Sequence, residues 1–256
     1  MGKFEGVLLC TDLDGTLAIG KDIPERNRRA LSRFMAEGGM LSLCSGRGTD
    51  YLMKMEGVLP NAPYISCNGT EIYDGKAGKL LWQKGMEGAD CFRVVEYLKD
   101  RGFSDIGGYC YFSDGSSLNR GTPLAAFDTM CGEGKTVLKI VYIFPDKVTA
   151  AQTEEDLKKV FPCYTFTRSW PEGVEQIHPE AGKGVAVQLL KQRLGARTLV
   201  CIGDEEIDHS MLRAADLAFA PANATEETKR LAREVLCPVE EGALMDLIDV
   251  LPRYLQ

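Results

Sequence analysis

No run of about 18 consecutive apolar residues occurs in this 256-residue chain, which argues against a transmembrane helix. Positive charge is also scarce. Thirty Lys and Arg against 37 Asp and Glu leave a formal charge of −7, which disfavours a general nucleic-acid surface or binding to anionic membranes. Any cation that meets an anionic ligand must therefore be placed locally. None of the nine cysteines forms a C-x-x-C pair, which argues against a zinc site and a disulfide framework. Cys10, Cys44, Cys67 and Cys201 fall inside apolar, strand-like runs, where a thiol acts as a small buried hydrophobe. A reducing cytoplasm is the expected compartment. The opening "MGKFEGVLLCTDLDG" reaches acidic residues too early for a secretory signal. No G-x-G-x-x-G follows the first apolar run, so dinucleotide binding has no support. "EAGKG" superficially resembles a nucleotide-binding loop. However, Ile177 stands where G-x-x-x-x-G-K-[ST] needs its first glycine, and Gly184 where it needs the hydroxyl.

Apolar residues make up 45% of the chain, enough for a sizeable core, and the length suits one large domain or two unequal ones. Five short apolar runs stand out: Val7 to Cys10, Met40 to Cys44, Ala62 to Cys67, Thr198 to Ile202 and Leu217 to Ala220. They are continuous rather than alternating, as in a parallel sheet covered on both faces. Helical segments lie between several of them. In "PERNRRALSRFMAEGG" the stripe is Leu31, Phe34 and Met35; in "KGVAVQLLKQRLG" it is Val185, Leu189 and Leu190. The alternation predicts an α/β fold with a doubly wound parallel-sheet core. Between about 84 and 176 the pattern changes to helices and alternating strands, "TVLKIVYIF" and "CYTFTRS" among them. This predicts a smaller α/β domain at 84–176 inserted into a core made of 1–83 and 177–256.

Polar residues follow every predicted core strand: Asp12 and Asp14, then Ser45-Gly46-Arg47, then Asn68-Gly69, then Asp204 and Asp208, and finally Asn223. In open α/β sheets, ligands bind outside the carboxyl ends of the strands. Two carboxylates about 5 Å apart repel by roughly 3 kcal/mol at an effective dielectric near 20, so Asp12 and Asp14 call for a cation. With Asp204 they form an oxygen-only set that suits Mg²⁺. Beside such an ion Asp12 can attack phosphorus as a nucleophile, and Asp14 can serve as acid and then base. Gly15 permits the tight turn, and Thr16 with nearby amides can hold phosphoryl oxygens. Ser45 can hydrogen-bond a phosphoryl oxygen, and Lys183, opening a helix, supplies positive charge. Arg47 can add a bidentate contact or stabilise its loop. Asn68 is placed either to touch substrate or to cap a turn, and Asn223 reads as a turn residue near the site.

"DLDGT", "SGR", "AGKG" and "GDEEID", in this order and spacing, resemble the four motifs of the haloacid dehalogenase superfamily. "ISCNGTEIYD" and "MLRAADLAFAPANAT" narrow the resemblance to its Cof-like phosphatases, which carry a large α/β cap of type IIB. The resemblance spans nearly the whole chain. It implies a Rossmann-like core, a mobile cap and Mg²⁺-dependent hydrolysis of a small phosphorylated metabolite, commonly a sugar phosphate. Transferred by position, Asp12 is the nucleophile and Asp14 the acid/base, and Ser45, Gly46 and Lys183 bind phosphate. Asp12, the Asp14 carbonyl and Asp204 ligate the metal, with Asp208 in support. A phosphotransferase or phosphomutase on the same scaffold is the alternative, as is a phosphate-binding protein that has lost turnover. No nucleic-acid or membrane partner is expected, and the assembly is expected to be a monomer or small homo-oligomer. One departure stands out. Ile207 occupies the place of the family's usual Asn in the fourth motif, leaving Glu206 or Asp208 to compensate.

Overall fold

The computed structural model of the chain describes residues 2–127 and 135–255. The chain divides into two compact units, Met1–Trp82 with Lys183–Gln256, and Gln83–Gly182. Before the insertion come β1 (Val7–Thr11), β2 (Met40–Leu43), β3 (Tyr64–Ser66), β4 (Glu71–Asp74) and β5 (Lys79–Gln83). The insertion contributes β6 (Met86–Glu87), β7 (Gly107–Phe112), β8 (Ser117–Pro123), β9 (Thr136–Ile143), β10 (Thr165–Trp170) and β11 (Gly173–Ile177). After it come β12 (Thr198–Ile202), β13 (Leu217–Pro221) and β14 (Glu234–Leu236).

Among the described residues the first unit carries a parallel sheet in the order β14-β13-β12-β1-β2. Every residue of β1 is buried because the sheet is covered on both faces. Leu9, Leu43, Val200 and Phe219 join one apolar cluster with the helices Glu25–Ala36 and Ala243–Val250. Leu8, Cys10, Leu199 and Cys201 join another with the helices Lys183–Leu194 and His209–Ala214. The fold is therefore the expected doubly wound α/β core.

Several details differ from the sequence reading. The run Ala62 to Cys67 does not become a core strand. It meets the main sheet at a single Cys44–Ile65 bridge, and β3 pairs antiparallel with β4 instead. The cause is local: Cys67, Asn68 and Gly69 take left-handed dihedrals (φ 48°, 60° and 84°), which reverse the chain at once. The fifth core strand is β14, a three-residue edge strand too short to announce itself in sequence. In the helix Lys183–Leu194 the buried face is Ala186, Val187 and Leu190, while Val185 is 40% exposed. Small Ala and Gly residues at the crossing shifted the stripe away from the larger side chains.

The second unit holds the antiparallel sheet β10-β11-β9-β7-β8, with β6 also on β9. Its apolar cluster includes residues of the helices Gly88–Asp100 and Lys147–Val160, the latter capped by Asp146 accepting from Val148 and Thr149 N–H. Strand β9 alternates less than expected, since Lys139 is buried too. It forms a 3.0 Å ion pair with the equally buried Glu175. Among the described residues no helix is long and apolar enough to cross a membrane.

Candidate active site

Parallel pairing of β1, β2, β12 and β13 delivers the residues after each strand to one sheet edge. Asp12 is anchored there by its N–H donating to the Ile202 carbonyl (3.0 Å). Its Oδ1 accepts from Lys183 Nζ at 2.5 Å, and the same ammonium donates to Asp208 Oδ1 at 2.5 Å. Lys183 is only 1% exposed and sits at the first position of its helix. Asp208 closes the arrangement: its Oδ2 accepts from the N–H groups of Asp204 (3.0 Å) and Glu205 (3.2 Å). This forms a reciprocal cap with Glu205 over the turn Glu206–Asp208.

Thr16, read from sequence as a phosphate contact, directs its hydroxyl to Asp204 Oδ1 at 2.6 Å. Gly15, with φ 86°, passes so close that a Cβ there would collide with Asp204 Oδ2. Asn223 clamps this turn, donating from Nδ2 to the Gly15 carbonyl (2.7 Å) while its Oδ1 accepts from Val239 N–H (3.0 Å). Ser45, 1% exposed, accepts from the Arg47 N–H at 3.2 Å. Its backbone is bound on both sides to the β3 turn, through Ser45 N–H to Ile65 O (2.9 Å) and Asn68 N–H to Ser45 O (3.0 Å). Asn68 thus shapes the Ser45-Gly46-Arg47 loop through its backbone. Asp14 stands apart from the buried cluster. Its carboxylate is held by Arg47, Nε to Oδ2 at 2.9 Å and an Nη to Oδ1 at 2.8 Å.

Electrostatically, Asp12 and Asp208 face the Lys183 ammonium with Asp204 beside them, and burial leaves the three acids little solvent screening. Burial pushes Asp12 up, Lys183 pulls it back, and the like charge of Asp208 raises it again, which together leave it raised to about 7. Burial, then Asp12 and Asp208, pushes Asp204 up to about 8. Lys183, although buried, is held well above its ordinary range by the two carboxylates and stays charged. One oxygen from each of the three acids lies within 4.8 Å of the others. An all-oxygen set whose anions repel one another fits a hard divalent cation.

A family model for haloacid dehalogenase-like hydrolases matches residues 9–248. The chain belongs to this family. As a haloacid dehalogenase-like hydrolase it is an enzyme. The Bacillus subtilis 5-amino-6-(5-phospho-D-ribitylamino)uracil phosphatase YwtE is 25% identical over 282 residues, spanning 95% of this chain and 97% of that protein. A haloacid dehalogenase-like hydrolase structure from B. subtilis matches with TM-score 0.80 at 19% identity, over 94% of this chain and 98% of the other. The subclass IIB sugar phosphatase BT4131 matches with TM-score 0.78 at 17% identity, covering 95% and 98%. At these identities the two structures speak for the fold.

Two participants escaped the sequence reading. Tyr51, four residues after Arg47, places its ring 4.8 Å from the guanidinium carbon. Glu205 caps the turn that holds Asp208; its three-residue spacing from Asp208 was the available signal. Ile207 lies in that same turn and is half-buried. The family resemblance places an Asn at this position, whose amide would help order a bound divalent ion, and losses of such outer partners cost about 10–100-fold in metal affinity. Ile207→Asn is therefore expected to tighten Mg²⁺ binding, read by calorimetric titration. Unchanged or weaker binding would mean the turn has adapted to isoleucine.

Proposed function

We propose that this hydrolase is a Mg²⁺-dependent phosphatase of small phosphorylated metabolites, sugar phosphates foremost, working through an aspartyl-phosphate on Asp12. The observation that carries the reading is the buried Asp12 held 2.5 Å from a charged Lys183, inside an acidic cluster otherwise short of positive charge. The family match and the relatives named as phosphatases support the reaction class.

Asp12, the Asp14 carbonyl and Asp204 would hold the ion, and Asp208 would steady Asp204 and Lys183. When bound, Mg²⁺ supplies charge neutralisation for the phosphoryl oxygens. The chain's own residues do the rest. One Asp12 oxygen attacks phosphorus while Asp14 gives its proton to the departing oxygen, leaving phosphate bonded to Asp12. Water then loses a proton to Asp14 and attacks the same phosphorus, which frees inorganic phosphate and restores the Asp12 carboxylate. Lys183 and Ser45, with the amides of the Gly46 loop, offset the charge on the phosphoryl group through both halves. The second unit is the proposed cap domain.

The test is release of inorganic phosphate from a panel of phosphorylated sugars, nucleotides and cofactors, with Mg²⁺ and again with EDTA. Turnover with Mg²⁺ that EDTA removes is the expected result. Tight binding of a phosphate mimic without turnover on any ester would overturn the reading and favour a binding protein. Label moving between sugar positions without free phosphate would overturn hydrolysis in favour of a mutase.

A further inference from the structure

The site as described leaves Arg47 unassigned. Its guanidinium takes both oxygens of Asp14 in a side-on pair at 2.9 and 2.8 Å and lies over the Tyr51 ring at 4.8 Å. Its backbone is tied on both sides, N–H to Ser45 Oγ (3.2 Å) and carbonyl from Cys67 N–H (2.9 Å). A planar fork fixes the plane of a carboxylate in a way that a point charge cannot. The two side chains are 45% and 43% exposed, so the pair adds little to stability, and its geometry has more consequence than its energy.

Resting on the phosphatase reading above, we infer that Arg47 is the positioning residue for Asp14 in the second half of the reaction. That half needs Asp14 as a carboxylate: the attacking water's proton passes to a carboxylate oxygen, the water oxygen bonds to phosphorus, and the phosphorus–Asp12 bond breaks. A carboxylate gripped through both oxygens has its plane fixed, so its free lone pairs face one direction. A residue that instead bound the substrate phosphoryl group would act before the aspartyl-phosphate forms. Kinetics separate the two roles.

The experiment uses 4-nitrophenyl phosphate, whose good leaving group needs little protonation in the first half. General-base catalysis contributes about 10²–10⁴-fold, and losing its orientation rather than its base should cost part of that. Arg47→Ala is thus expected to lower kcat by about 10–100-fold and KM in parallel, with kcat/KM changed less than about threefold. Acid quench during turnover should trap more phosphate on the chain than in the wild type. Arg47→Lys, which keeps the charge but loses the fork, should fall between. In an Asp14→Asn background Arg47→Ala should have no further effect. A raised KM with a fall in kcat/KM, no rise in trapped phosphate, or an undiminished effect in the Asp14→Asn background would each overturn the assignment. Failure of the phosphatase reading would look different, since the wild type would then release no phosphate at all.

Discussion

Asp12→Asn should abolish Mg²⁺-dependent phosphate release, by on the order of 10³-fold or more, because an amide cannot serve as the attacking oxygen. Aryl phosphate hydrolysis with the purified variant is the measurement, and near-normal turnover would eliminate the covalent route. The same variant makes a stability prediction with a definite sign. Asp12 is raised to about 7 and Asp204 to about 8, against an ordinary carboxylate value of 3.8. Between about 4 and 8 the folded chain therefore holds more protons than the unfolded chain, so these two groups make unfolding easier as pH rises through that window. Their contribution is complete below about 4 and lost by about 8. His178 and His209, lowered by burial, act in the opposite direction and cancel when variant and wild type are compared. In EDTA, the melting-temperature difference should shift in favour of Asp12→Asn between pH 5.5 and pH 8. Mg²⁺ should raise the wild-type melting temperature more at pH 8 than at pH 5.5, because binding displaces those protons. A pH-independent difference would mean that Asp12 ionises in the folded chain as it does in water.

Lys183→Met should be the most damaging change to the fold near the site. It leaves Asp12, Asp204 and Asp208 buried together without the ammonium that Asp12 and Asp208 contact at 2.5 Å. Breaking a buried pair by removing one partner costs about 3–5 kcal/mol, because the remaining charge is stranded in a low-dielectric setting. The loss should be larger at pH 8.5 than at pH 6, where the acids can stay protonated, and Mg²⁺ should recover part of it. Urea unfolding at the two pH values reads the effect, and turnover should fall with it. Wild-type stability at both values would mean the three acids do not rely on Lys183. The contrast with Asp12→Asn follows from counting charges: removing one anion eases the cluster, and removing the cation worsens it.

Much of this was legible before any coordinates. Continuous apolar runs such as Val7 to Cys10 implied a sheet covered on both faces, and β1 is buried throughout. The placement of Asp12, Ser45 and Asp204 just after successive apolar runs implied one sheet edge, because parallel strands present their carboxyl ends together. A change of period set the stretch from about 84 to 176 apart from the rest of the sequence. Less was visible where short elements or small side chains decide. β14 has three residues, and the stripe of the helix Lys183–Leu194 runs through Ala186 and Val187 rather than the bulkier Val185. Periodicity weights large apolar side chains, whereas close helix packing selects small ones.

The chain of residues alone determined the α/β class and singled out the acids and lysine that gather at the candidate site, since these depend on local period, turn residues and residue type. Tertiary structure decided the partnerships. Thr16 turned to Asp204, Asp208 became the bridge between Lys183 and the amides of Asp204 and Glu205, and Arg47 closed on Asp14. Each joins groups in separate loops, except the bond from Asp208 to the nearby amides. Hydrogen-bond direction and the pKa of a buried acid depend on distances of a few ångströms that sequence spacing does not encode.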